Sequence, residues 1–204
     1  MFLAPLDVIR EALGFDQMTD IDNAIEAALN SATAQLAGVL QTSFDVEDVE
    51  DVFWVERAPL SQGPHRLTEF RLSRGFVSNL VSVTRTQVEG LFQNDQPADI
   101  LAAIKLDKDK GYARDWATWY DRNYVTFAYR AGFPRDAGNP VSFDLASVPE
   151  WLQEAAKLQA LILLADHPTL TEAQIKLDTR MLGPQLEATV TPRLRYTPNA
   201  LMPL

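Results

Sequence analysis

The sequence predicts an α+β fold: a helical bundle, made of an N-terminal helix pair and C-terminal helices, with a small antiparallel β module inserted and an extended C-terminal tail. Three observations predict it. Apolar residues recur at three- and four-residue steps near both ends of the chain. From Thr42 the period changes, and β-branched and aromatic residues take over. After Gly183-Pro184 prolines become frequent and no face alternates. A chain of 204 residues, 47% hydrophobic, can bury one substantial core, so one domain is expected over 1–184 with a tail over 185–204.

Helices are expected at about residues 4–14, 20–41, 149–167 and 171–182, and the β module at about 43–134. In the first helix Leu6, Ile9, Ala12 and Leu13 follow Pro5 and Asp7 at helical spacing, and Gly14 supplies the stop. Thr19 or Asp20 caps the second, whose apolar face runs from Ile21 through Ile25, Leu29 and Leu36 to Leu40. The third opens at Val148-Pro149-Glu150 with Ser147 as its cap. Its apolar residues, from Leu152 to Ala165, exceed one stripe, so strand, helix or another subunit must cover most sides of it. His167-Pro168 stops that helix, Thr169 or Thr171 starts the fourth, with Ala173, Ile175, Leu177 and Met181, and Gly183-Pro184 ends it.

Within the β module the repeat Val46-Glu47-Asp48, Val49-Glu50-Asp51, Val52-Phe53-Trp54 has a three-residue step that fits neither a flat strand nor a helix face. It reads as a twisted or bulged extended segment reaching Val55. Phe70 to Val83 is strand material interrupted at Arg74-Gly75, Ile100 to Leu106 is another strand, and Asp107 to Gly111 is a charged turn. The strand Tyr124 to Arg130 alternates clearly. Val125, Phe127 and Tyr129 share one face, and Tyr124, Thr126, Ala128 and Arg130 the other.

Net charge is −10, and all of the excess lies before Val52, where eleven acids stand against Arg10 while the remainder balances. That distribution argues against a phosphate-gripping nucleic-acid binder. Without cysteine the chain has no disulfide, thiolate metal site or cysteine nucleophile, and two histidines are too few for a His-rich metal centre. No apolar run reaches membrane-span length and Met1 to Pro5 lacks the basic flank of a signal peptide, so the chain reads as soluble, with no membrane partner.

The acids Asp45, Glu47, Asp48, Glu50 and Asp51 could ligate Mg2+ or Ca2+, or form a solvated or pore-facing acidic surface. They lack the central glycine and distal glutamate of an EF-hand. His65, in a Pro/Gly loop, and His167, at a helix end, show no orienting partner or nucleophile. Arg57, Arg66, Arg71, Arg74 and Arg85 form a basic stripe or a set of salt bridges. Trp116, Trp119, Tyr120, Tyr124 and Phe127 suit a core or an interface better than base stacking, given so little positive charge around them. No phosphate loop or nucleophile elbow is present, so neither an enzyme nor a cofactor is expected.

The order of these pieces resembles the head-tail connector, or adaptor, proteins of tailed bacteriophages. The resemblance is carried by the strand Val125 to Arg130, the turn Ala131-Gly132-Phe133-Pro134 and the helix start Val148-Pro149-Glu150, with Arg193-Leu194-Arg195-Tyr196-Thr197-Pro198 in weaker support. It implies a homo-oligomeric ring, typically of twelve copies, in the virion neck. Such a ring docks beneath the portal protein and above the next neck or tail protein, and DNA passes through its lumen without specific binding. On that reading Arg193 and Arg195 would meet portal acids, and Tyr196, Leu201, Met202 and Leu204 would fill apolar portal grooves. Asp45, Glu47, Asp48, Glu50 and Asp51 would line the DNA channel, where like charge prevents sticking. Two other readings are a head-completion or tail-terminator ring and a small oligomeric enzyme with a carboxylate metal site.

Overall fold

The computed structural model describes residues 1–14, 21–55, 68–89, 98–115, 122–139, 141–165, 167–168, 177–194 and 203. It is mixed α+β and divides the chain into two units where the sequence suggests one domain. One is helical, Met1–Gln41 with Phe133–Leu194; the other is a β unit built on Thr42–Gly132. Each has buried apolar residues of its own, Leu29 and Leu152 in the first and Phe53 and Phe127 in the second.

In the helical unit, α1 (Leu6–Leu13) starts behind an extended Pro5 and stops at Gly14, which takes the left-handed φ of 75°. The second helix, α2 (Asp22–Leu40), buries Ile25, Ala28, Leu29, Ala32, Leu36 and Leu40 along one stripe. Arg10 clamps the two helices with a forked contact to Asp22, Nε to Oδ1 at 2.8 Å and Nη2 to Oδ2 at 2.6 Å. These bonds hold the Asp22 carboxyl below its ordinary range.

The third helix, α3 (Glu150–Leu164), packs against α1, α2 and α4 (Thr179–Val190), and seven of its residues are buried. This is the covering that its surplus apolar surface requires. Ser147 does not cap it: the Ser147 hydroxyl donates to the Asp144 carbonyl at 2.6 Å, and Pro149 holds the cap position. Gln153 closes the entry, its Nε2 donating to the carbonyls of Leu145 and Val148, each at 2.9 Å.

The end of the chain departs from expectation. Gly183-Pro184 does not end the last helix; α4 continues through it to Val190, and a 3-10 turn, Thr191–Arg193, follows. Residues 185–190 are therefore helix rather than extended tail. Pro184 forfeits one backbone hydrogen bond, yet α4 packs on α3, with Val190 buried and Leu186 half-buried beyond the proline. Asp178 caps the start, accepting the Arg180 N–H at 3.1 Å. The expected starts at Thr169 and Thr171, with Ala173 and Ile175, lie outside the described residues.

The β unit holds two antiparallel sheets. One is ordered β1 (Glu47–Val55), β7 (Arg122–Ala131), β3 (Val77–Glu89), β4 (Ala98–Asp99); the other β2 (Thr68–Arg71), β6 (Tyr112–Asp115), β5 (Lys105–Asp107). The three-residue repeat proves to be an ordinary strand: β1 pairs with β7 in unbroken register from Glu47 opposite Ala131 to Val55 opposite Asn123. The irregularities fall instead on β3, at Val77/Asn79, Leu80/Ser82 and Gln87/Glu89. Ile100 to Leu106 is a 3-10 turn, Leu101–Ala103, followed by the short β5.

Phe53, Phe70 and Phe127 join the two sheets, their ring centroids 5.2 Å (Phe53 to Phe70), 5.5 Å (Phe53 to Phe127) and 5.1 Å (Phe70 to Phe127) apart. At the end of β7, Gly132 has a φ of 90°, and a Cβ there would lie 2.1 Å from the Asp45 carbonyl oxygen. Gly132→Ala is expected to destabilise the chain by about 3 kcal/mol or more. Gly38→Ala, in open space on α2, is expected to stabilise it by about 0.5–1 kcal/mol. Denaturant unfolding of the two variants checks both.

Candidate functional site

The strand β1 sorts the acidic run by alternation. Glu47, Val49, Asp51, Phe53 and Val55 face the core side, and Asp48, Glu50, Val52 and Trp54 face outward. Asp51 is 5% exposed, so it lines no channel. Its Oδ2 accepts the Tyr129 hydroxyl at 2.7 Å and the Ser73 N–H at 2.6 Å. The Tyr129 hydroxyl in turn accepts the Arg74 N–H at 3.1 Å and lies 3.2 Å from the Ser73 hydroxyl. Burial pushes the Tyr129 phenol well above its ordinary value, the Ser73 contact opposing and the Asp51 carboxylate adding to the shift, so Tyr129 remains a donor.

The loop Ser73–Phe76 straps both long strands from this point. Arg74 Nε meets Glu47 Oε2 at 3.0 Å, the Gly75 N–H donates to Thr42 Oγ1 at 3.0 Å, and the Phe76 carbonyl accepts the Gly132 N–H at 3.0 Å. Phe76 adopts a φ of 52°, rare for an aromatic residue, with its ring 5.6 Å from that of Phe44. Sequence reasoning missed this cluster. One signal could have found it: Asp51 is in phase with Phe53 and Val55, and Tyr129 with Val125 and Phe127, so both polar groups point into the apolar side.

Asp48 lies 3.4 Å from Arg130 Nε, while Asp45 and Glu50 are exposed. The five acids therefore share no face, and no group of three or more His, Asp or Glu that could hold a metal forms among the described residues. Arg74 has the salt-bridge role expected of the basic set, whereas Arg57 and Arg66 lie outside the described residues. Phe127 is core, and Tyr124 packs at a tilt against Trp54, centroids 4.7 Å apart, on the outer face. Trp116, Trp119, Tyr120 and His65 lie outside the described residues; the backbone N–H of His167 donates to the Leu164 carbonyl at 2.9 Å.

Of the expected portal-binding residues, Arg193 stands in the 3-10 turn after α4, its guanidinium 5.3 Å from the centre of the Trp151 ring. Arg195, Tyr196, Leu201, Met202 and Leu204 lie outside the described residues. Beside that turn, Leu36, Val39, Leu186, Val190 and Leu194 line an apolar cavity of about 280 Å³, bordered by Gln35 and Gln159, which are bonded at 2.7 Å. No helix among the described residues is long and apolar enough to cross a membrane.

No protein-family model matches the chain, and no curated protein matches it. Among solved structures it is similar to a chain in the neck of an empty GTA particle computed with C6 symmetry, at 14% identity and a TM-score of 0.45, covering 96% of this chain and 91% of that chain. A likeness this loose carries no argument about what the chain does.

Removing the Tyr129 hydroxyl takes a donor from the buried Asp51 carboxylate. Tyr129→Phe is expected to cost about 1–3 kcal/mol in chemical denaturation. Glu47 adds an acid-sensitive contribution: the Ser43 hydroxyl first, and then Arg74, hold its carboxyl below the ordinary value. A depressed folded pKa gives stability present above the unfolded value, about 4.3, and lost as pH falls through the folded one. Glu47→Gln is therefore expected to flatten the acid limb of the melting temperature against pH.

Proposed function

We propose that the chain is a structural, non-catalytic adaptor in the neck of a tailed-phage-like particle. Its copies form a ring, of twelve on the family pattern, that joins the portal to the next neck or tail protein and lets DNA pass. The observation that carries this reading is the stretch from β7 through Ala131-Gly132-Phe133-Pro134 to the Pro149-Glu150 helix start, which holds the resemblance to the connector family.

Each part of that stretch has a structural task. Gly132 occupies a position that no side chain fits, Phe133 packs edge-on against Phe143 at 6.2 Å, and the Pro134 carbonyl accepts the Asp144 N–H at 2.8 Å. The turn thus pins the following loop, which also bridges Arg135 to Phe143 and Phe2 to Ser142, and delivers the chain into α3. None of these groups is a nucleophile beside a base. Function on this reading lies in surfaces.

The portal contact is assigned to the segment after Leu194. A chain truncated after Leu194 keeps Leu186 and Val190 and is expected to melt like the full chain, while losing co-purification with portal rings. Truncation after Gln185 removes those packing residues and is expected to lower the melting temperature as well. Unchanged portal capture by the chain ending at Leu194 overturns the role of the tail; failure of the full chain to bind any portal ring overturns the adaptor reading.

A further inference from the structure

The outward residues Asp48, Glu50, Val52 and Trp54 of β1 and Tyr124, Thr126, Ala128 and Arg130 of β7 are exposed or half-buried. The centre of that face is uncharged, with Val52, Trp54, Thr84, Tyr124 and Thr126 side by side in the register. Tyr124 is 38% exposed. Absence of charge at the centre, with tryptophan and tyrosine as anchors, is the composition of a protein interface core. Among the residues whose side chains are described, the rim carries Asp48, Glu50 and Asp99, all exposed, against Arg130, which Asp48 already faces. Such a face repels its own copy and fits a cationic surface.

The same chain provides one. Phe70, Ala113 and Leu106 turn the three-stranded sheet inward onto the shared core, so its opposite side presents the cross-strand row Lys105, Arg114 and Glu69. Arg114 meets Glu69 at 2.8 Å and Lys105 is exposed beside them. Over β2, β5, β6 and the turn between the last two, five bases stand against four acids, of which Asp115 is buried. The two sheets face each other across one core, so the acidic and basic faces lie on opposite sides of the β unit.

The geometry points to a head-to-tail contact between copies, in which the acidic, aromatic face of one four-stranded sheet seats on the basic row of the next copy's three-stranded sheet. Two different surfaces meeting in this way generate a ring when the rotation closes. The inference rests on the ring reading above and names the surfaces that make the ring. It moves Asp48 and Glu50 from a channel wall to a subunit contact.

Sedimentation velocity of the full chain, over a concentration series at low and high salt, tests it. Glu50→Lys and Lys105→Glu, each alone, are expected to weaken self-association about tenfold, more strongly at low salt. The two reversals on one chain restore it, because opposite charges meet again. Tyr124→Ser weakens association at either salt. Far-UV circular dichroism, expected to be unchanged for these exposed positions, separates lost contact from lost fold. Single reversals that assemble like the wild type, or a double reversal no better than the singles, overturn the head-to-tail contact while leaving the ring. A wild-type chain that stays monomeric with and without portal rings overturns the ring reading itself.

Discussion

A buried carboxylate fixes the architecture of the β unit. Asp51 leaves water when β1 pairs with β7, and a charge in that position is tolerated only when hydrogen bonds replace its hydration. Tyr129 and the Ser73 backbone supply them, so one anion couples two neighbouring strands to the loop that follows β2. The other straps follow from that placement: with Ser73 fixed, Arg74 reaches Glu47, Gly75 reaches Thr42 and Phe76 reaches Gly132. Residues 42 and 132, where the chain enters and leaves the β unit, are thus held by the same four-residue loop.

The helical unit is organised differently, by apolar surface area. Helix α3 is too apolar for a single stripe, and its neighbours α1, α2 and α4 cover it. Its demand for cover extends along the chain. Val190 is buried and Leu186 half-buried although Gly183-Pro184 precedes them, in a helix that packs on α3. After α4, the Arg193 guanidinium lies over the Trp151 ring of α3, 5.3 Å from its centre.

The acidic run is divided by the pairing of the β unit. The buried Asp51 and Tyr129 and the half-buried Ser73 are engaged with one another, and the remaining acids of the run are divided between the two faces of a strand. Charge excess read from composition suggested one acidic wall. Pairing converted it into one structural anion, two ion pairs and an exposed rim beside aromatic residues.

The sequence by itself determined the places where local sterics and periodicity decide: the stop of α1 at Gly14, the long face of α2, the proline start of α3, and the alternation of Val125, Phe127 and Tyr129 in β7. These are properties of neighbouring residues and need no partner. The destination of Asp51, the plain register of β1, the displacement of the bulges to β3 and the passage of α4 through Pro184 were decided only in three dimensions. A valine at every third position hides a period of two until a strand lies alongside, and a helix-breaking proline yields only to apolar contacts made across the fold. Which carboxylate is buried, and which face of the β unit is left acidic, depends on pairing between residues some eighty positions apart, and short-range patterns cannot express that.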